Sequence, residues 1–206
     1  MSLQLRPLVI LLVSLTLITG VAYPFALFWT AQLIFPHQAN GALVERSDTG
    51  ASNARVGSEL IGQMFTDSKY FWGRLSATTP MAFNAASSSG SNLGPTNGRL
   101  GEAIATRVLA LRAADPGNTQ PIPSDLVMAS GSGLDPDISP ASAYYQISRV
   151  ARVRGLSASR LAALVSASIE GRQFGVLGEP RVNVLHLNLA LDQLAPAARS
   201  ARRGER

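Results

Sequence analysis

LVILLVSLTLITGVAYPFALFWTAQLIF, Leu8–Phe35, decides the architecture: 28 residues without one charge, made mostly of Leu, Val, Ile, Phe and Ala. An α-helix of that length rises roughly 42 Å, and about 20 residues suffice to cross a hydrocarbon core. The surplus predicts tilt or interfacial ends. Trp29 and Phe35, at the far end, suit the outer interface, where aromatic rings are favoured. Pro24 interrupts the run and removes one backbone hydrogen bond, so a kink is expected there. A cleaved signal peptide has an apolar core of about 7–15 residues closed by small residues. This run is longer and its far end is bulky, which favours an uncleaved anchor. Arg6 precedes it, and no Lys or Arg follows until Arg46. The positive-inside rule then puts the N-terminus in the cytoplasm and the bulk of the chain outside.

Composition bounds the remainder. The chain has 206 residues and a formal charge of +5, carried by 17 Arg and a single Lys, Lys69. The arginines are scattered, apart from Arg199, Arg202, Arg203 and Arg206 at the end. That argues against a nucleic-acid footprint, which needs a stripe or patch. Cysteine is absent, which excludes disulfides, thiolate nucleophiles and thiolate-bound metals.

Beyond the span, residues 37–58 read as a polar linker with a short strand around Ala42–Arg46. Leu60, Ile61, Met64 and Phe65 share one helical face. Lys69–Arg74, KYFWGR, is expected at the edge of a core. Residues 76–98 are rich in Ser, Asn and Gly, and suit either a flexible linker or a folded functional loop. Arg99–Ala114 is an amphipathic helix with Leu100, Ile104, Val108 and Leu111 in a stripe, ended by Asp115-Pro116-Gly117. Leu126–Ala129 is a strand candidate. Ser139-Pro140 is an N-cap followed by proline at the first helical position. The helix it starts is expected to reach Arg154, with Ala143, Ile147, Val150 and Ala151 inward and Arg149, Arg152 and Arg154 off that stripe. Gly155 and Ser157 then imply a helical hairpin whose second arm turns Leu161, Leu164, Val165, Ser168 and Ile169 inward. Arg181–Leu187, RVNVLHL, alternates like a strand, and Leu189–Leu194 makes a last helical turn. The fold class is α+β: one N-terminal transmembrane helix, then a compact domain with a small sheet and several helices. The divisions are 1–36 as anchor, 37–194 as domain and 195–206 as a basic tail.

Chemistry-bearing residues are sparse. His37 sits just past the span and reads as interfacial. His186 falls on the polar side of the expected strand. No G-x-S-x-G elbow, phosphate loop or EF-hand pattern is present. Asp135 and Asp137 flank Pro136, which reads as a turn into a capped helix.

Six strings carry a resemblance: GSELIGQMF (57–65), YFWGRLSA (70–77), FNAASSSGSNLGPTN (83–97), SGSGLDPDISPASA (130–143), QISRVARVRG (146–155) and FGVLGEPRVNVLHLNLALD (174–192). With the single span, they closely resemble the C-subunit family of Kdp-type potassium-transporting ATPases, over residues 7–194. The family usually has proline at the place of Leu75, tyrosine at Phe83 and histidine at Asp137. The last departure removes any role resting on an imidazole there.

The resemblance implies an accessory, non-catalytic subunit of a pump in a bacterial inner membrane. Its partners would be a channel-like A subunit that selects potassium, a P-type ATPase B subunit that hydrolyses ATP, a small F subunit and the lipid bilayer. It implies a role in assembly and activity, as a catalytic chaperone for ATP use by the B subunit. The complex would use ATP, Mg and K ions, with none bound directly by this chain. A bulk domain on the outer side makes any nucleotide effect indirect. Candidate subunit contacts lie on polar, backbone-rich segments: Asn84, Ser89, Asn92, Pro95 and Asn97 in the loop, Asp135 and Asp137 in the turn, and Glu179, Arg181 and Asn183 in GEPRVN. The competing reading is a membrane-tethered periplasmic enzyme or ligand-binding module that uses the Ser-rich loop with His186.

Overall fold

The computed structural model describes residues 4–46 and 54–203, with side chains for 4–45 and 55–194. The centre of the expected linker and the last residues of the basic tail, Gly204–Arg206, lie outside the described residues. The chain divides into two compact units, Met1–Val44 and Glu45–Arg206.

The first unit is dominated by one continuous 30-residue helix, Leu5–Ile34, long and apolar enough to cross a membrane. Its apolar side chains are exposed, Leu8 and Phe25 among them. The helix comprises α1 (Leu5–Leu17), a π-helical turn over Ile18–Ala22 and α2 (Tyr23–Ile34). Proline explains the wide turn. Pro24 has no N–H to offer the carbonyl four residues back, and the Tyr23 N–H reaches Ile18 O, five residues back. A short helical turn, α3 (Pro36–Ala39), follows.

The second unit is α+β. β1 (Leu43–Arg46) pairs with β2 (Ala54–Ser58). The first strand was legible in the sequence, whereas β2 falls in what reads as linker. The expected helix over Leu60–Phe65 does not form. The Gly62 N–H donates to Leu134 O at 2.8 Å, and the Gln63 carboxamide donates to Val56 O at 2.7 Å. Long-range partners take the hydrogen bonds that a helix would use, and Leu60 and Met64 are left exposed.

KYFWGR lies in the core, not at its edge: Phe71 and Trp72 are buried. Among the described residues, no strand partner runs beside them. Two side-chain carboxamides take that part. The Phe71 N–H donates to Asn188 Oδ1 at 2.9 Å, and Asn188 Nδ2 donates to Phe71 O at 3.0 Å. The Trp72 N–H donates to Gln146 Oε1 at 2.8 Å, and Gln146 Nε2 donates to Trp72 O at 3.0 Å. Buried backbone groups must be paired somewhere, and here two amides supply both donor and acceptor.

α4 (Gly98–Ala114) is capped by Asn97 and turns the expected stripe inward, with Leu111 fully covered. The strand expected at Leu126–Ala129 is instead a 3₁₀ turn, Ser124–Leu126, and a single parallel bridge from Ala129 to Leu75. β3 (Asp137–Ile138) leads into α5 (Pro140–Tyr145) and α6 (Ile147–Arg154). The one long helix expected here is two, parted at Gln146, whose side chain is committed to Trp72. Gly155 closes α6 at φ +65°, in the left-handed region that favours glycine. α7 (Ala158–Ala167) completes the hairpin, capped by Ser157, with Leu161 and Val165 buried.

RVNVLHL is a strand for only two residues. β4 (Val182–Asn183) pairs antiparallel with β3, and α8 (Val184–Arg203) then takes over. Val184, Leu187, Asn188 and Leu191 are all buried, a helical spacing that outlasts the seven-residue alternation. The expected turn at Leu189–Leu194 lies inside α8, and helical backbone continues through Arg203. The small sheet is therefore two separate two-stranded ribbons.

Candidate functional site

The turn Leu134–Ser139 is fixed from three sides. The Asp135 carboxylate accepts from Arg74 Nη1 at 2.8 Å and from the Asp137 N–H at 3.0 Å, which holds the chain around Pro136. β4 lies alongside, with Asp137 opposite Asn183 and the Val184 N–H donating to Pro136 O at 3.0 Å. Asp125 secures the far end. It accepts from the Ser139 N–H at 2.8 Å and from the hydroxyls of Ser139 and Ser142 at 3.1 and 2.5 Å. The Ser139 Oγ accepts in turn from the Ser142 N–H at 3.1 Å, the N-cap that the sequence announces.

A hairpin over Glu170–Arg181 stands beside this turn, its base closed by backbone bonds between Glu170 and Arg181. The Arg181 guanidinium lies 3.0 Å from Asp137 and 2.8 Å from Glu170. A cleft of about 440 Å³ opens here, lined by Glu59, Asp137, Glu170, Gln173, Arg181 and His186. Burial pushes the Asp137 carboxyl above its ordinary value; the charges of Asp135 and Glu170 add to the rise, and Arg181 opposes it. Asn183 donates to Glu59 O at 2.9 Å and accepts from the His186 N–H at 3.1 Å. His186 is thus in the first turn of α8, not on a strand face, and its Nε2 is 3.5 Å from Glu59. A smaller neighbouring cleft, about 270 Å³, is lined by Asp125, Asp135, Glu179 and Arg181. Glu179 is ion-paired with Arg172 at 2.7 Å.

The Ser/Asn/Gly tract is a folded loop. Ser76 is its hub: its hydroxyl donates to Gly133 O at 2.7 Å and accepts from the Phe83 N–H at 2.9 Å. Asn84 accepts from the Ala86 N–H at 3.1 Å and donates to Thr79 O at 3.0 Å. The Ser88 hydroxyl donates to Ser132 O at 2.9 Å. At Gly133 a Cβ would stand 2.6 Å from Ser89 O, so Ser89 packs directly on the start of the turn. Asn97 is the cap of α4, accepting from the Arg99 N–H at 3.0 Å. Asn92, at φ +52°, and Pro95 lie on the exposed part of the loop.

The structure therefore gathers Asp135, Asp137, Glu179, Arg181 and Asn183 around adjoining clefts, and seats Ser89 against the same turn. Asn84 and Asn97 serve the loop's own geometry, and Asn92 and Pro95 stand apart on the exposed stretch. Asp125, Glu59 and Glu170 were missed. Asp125 acts through a helix start 14 residues on, and Glu59 through β4, so neither leaves a local signal. Among the described residues, no three His, Asp or Glu side chains stand together as a metal-binding set.

Comparison with known proteins matches the same stretch of chain. The family model described as K+-transporting ATPase, c chain, covers residues 5–193. The Potassium-transporting ATPase KdpC subunit of Methylococcus capsulatus is 61% identical over 189 residues, covering 92% of this chain and 97% of that protein. The subunit of the same name from Burkholderia vietnamiensis is 57% identical over 192 residues, 93% of this chain and 97% of that protein. The one from Dechloromonas aromatica is 56% identical over 195 residues, 95% of this chain and all of that protein. With matches this long, spanning both the apolar helix and the domain that carries the clefts, the chain belongs to the K+-transporting ATPase c chain family.

Proposed function

We propose that this chain is the accessory subunit of an ATP-driven potassium importer of a bacterial inner membrane. It acts by contact and not by chemistry of its own. The observation that carries the contact reading is how the polar residues of the clefts are used. Arg181 is engaged by Asp137 and Glu170, Asp135 by Arg74, Asn183 by Glu59 and His186. They shape a fixed surface instead of presenting a base beside a nucleophile. The helix packs beside the channel-like A subunit, and the domain covers that subunit's external face through the 84–97 loop and the Asp135–Asp137 turn. The B subunit hydrolyses ATP, with Mg and K ions bound by the other subunits, and this chain assists its ATP use indirectly, as a chaperone. Orientation is supported by Arg6 before the span and by the first Lys or Arg after it being Arg46.

Copurification from cells expressing the whole complex tests the reading. Deletion of residues 84–97 is expected to release the chain from the complex and to reduce potassium uptake. Wild-type assembly and uptake by the deletion variant would defeat the loop assignment. A reporter fused after Arg206 should be active only outside the cytoplasm.

A further inference from the structure

The hairpin above the cleft ends in an apolar tip, of which Leu177 also lines the cleft while Phe174 and Val176 do not. At its tip, Phe174 is 92% exposed, Val176 72% and Leu177 56%. Such side chains usually fold back onto a domain, yet here the tip is built to hold them out. Phe174 sits at φ +53°, a left-handed conformation uncommon for a bulky residue, and Gly175 follows at φ +77°. The Gln173 N–H donates to Leu177 O at 2.9 Å, and the Leu177 N–H donates back to Gln173 O at 2.9 Å. Strain held in place by surrounding hydrogen bonds points to a functional reason for the conformation.

We propose that Phe174, Val176 and Leu177 form an apolar anchor that inserts into an apolar pocket of a neighbouring subunit of the ATPase; this rests on the accessory-subunit reading above. Charge argues for a protein pocket over a lipid surface. Interfacial anchors on bilayers combine apolar residues with cations held toward anionic headgroups. The two cations of this hairpin are instead neutralised within the domain. Arg172 pairs with Glu179 at 2.7 Å, and Arg181 with Glu170 and Asp137 at 2.8 and 3.0 Å. The tip also lacks the Trp and Tyr of an interfacial belt. An apolar centre with Glu179, Arg181 and Asp137 around its base has the layout of an interface hot spot: a rigid aromatic plug ringed by polar groups. Because the tip is already ordered, docking it costs little conformational entropy.

The experiment uses the full chain in the assembled complex. A photo-crosslinking phenylalanine analogue at position 174 should give an adduct with another ATPase subunit. Phe174→Ser should weaken retention of the chain in the purified complex by roughly tenfold or more. The variant's own melting temperature should not change, because the side chain is exposed. In an intact complex, adducts with lipid or with a second copy of this chain, or no adduct, would overturn the proposal. So would wild-type retention of Phe174→Ser. A wild-type chain that does not copurify with the other subunits at all would instead overturn the accessory-subunit reading, and this proposal with it.

Discussion

Arg149 sits over the ring of Trp72 in the middle of the domain, its guanidinium carbon 4.3 Å from the indole centroid, although helical periodicity places it off the apolar stripe of its helix. It is 2% exposed. Its Nη1 donates to Ser68 O at 2.5 Å and Tyr70 O at 3.0 Å, and its Nη2 donates to Gln146 Oε1 at 2.6 Å. Burial pushes its pKa down to about 10, which leaves it charged at neutral pH. Arg107 covers the same ring, 5.2 Å away. Arg149→Lys keeps the charge but offers one nitrogen where a fork is needed. The variant should lose about 3 kcal/mol of stability, read by denaturant unfolding, because buried carbonyls are left without donors.

Asp115 gives a pH-dependent prediction. Burial alone would raise its pKa, but hydrogen bonds from Ser148 and Arg152, with the Arg152 charge, hold it below its ordinary 3.8. The unfolded chain then binds the proton more tightly than the folded one. The stability this carboxylate contributes is present above pH 3.8 and is lost as pH falls through the lowered folded value. Asp115→Asn should therefore melt earlier than wild type at pH 7. The gap should narrow in strong acid, measured as melting temperature against pH.

Asp137 should behave with the opposite sign. Its pKa is raised, so the folded state binds the proton more tightly, and stability falls as pH climbs from 3.8 through the raised folded value. Asp137→Asn should raise the melting temperature at pH 7. At pH 3 the two proteins should melt together. A variant that melts lower than wild type at pH 7 would show that the Arg181 ion pair outweighs burial.

Gly133 joins the turn to the Ser-rich loop. A methyl group there would sit 2.6 Å from Ser89 O, on a backbone at φ +70°. Gly133→Ala should cost at least about 2 kcal/mol, from the left-handed backbone and the clash together. Limited proteolysis should then cut within 84–97 at enzyme concentrations that leave the wild-type loop whole.

Local rules carried much of this fold. The apolar span, the Ser139-Pro140 start, the Gly155 stop and the α4 stripe were legible because each depends on residues within a turn or two. The errors share a cause. Gly62, Gln63 and Arg149 find partners 7 to 81 residues away, and such bonds override the nearby pattern. In RVNVLHL the alternation of a strand and the spacing of a helix coincide for one turn, and only Asn188 and Leu191 beyond it decide. Of the candidate contacts, those in the turn and in GEPRVN converge because β3 and β4 pair. The roles of Asn84 and Asn97 as local caps could have been read from their places before short helical turns.

The carboxamide clamps on Phe71 and Trp72 impose an order on the life of the polypeptide. A ribosome finishes Phe71 well before Asn188, which stands 117 residues further on, and Trp72 waits for Gln146, 74 residues on. Until α8 has been synthesised, the backbone groups of Phe71 lack their partner. A product that stops before Asn188 would display that stretch to chaperones and proteases, so closure of this interior waits on the arrival of α8.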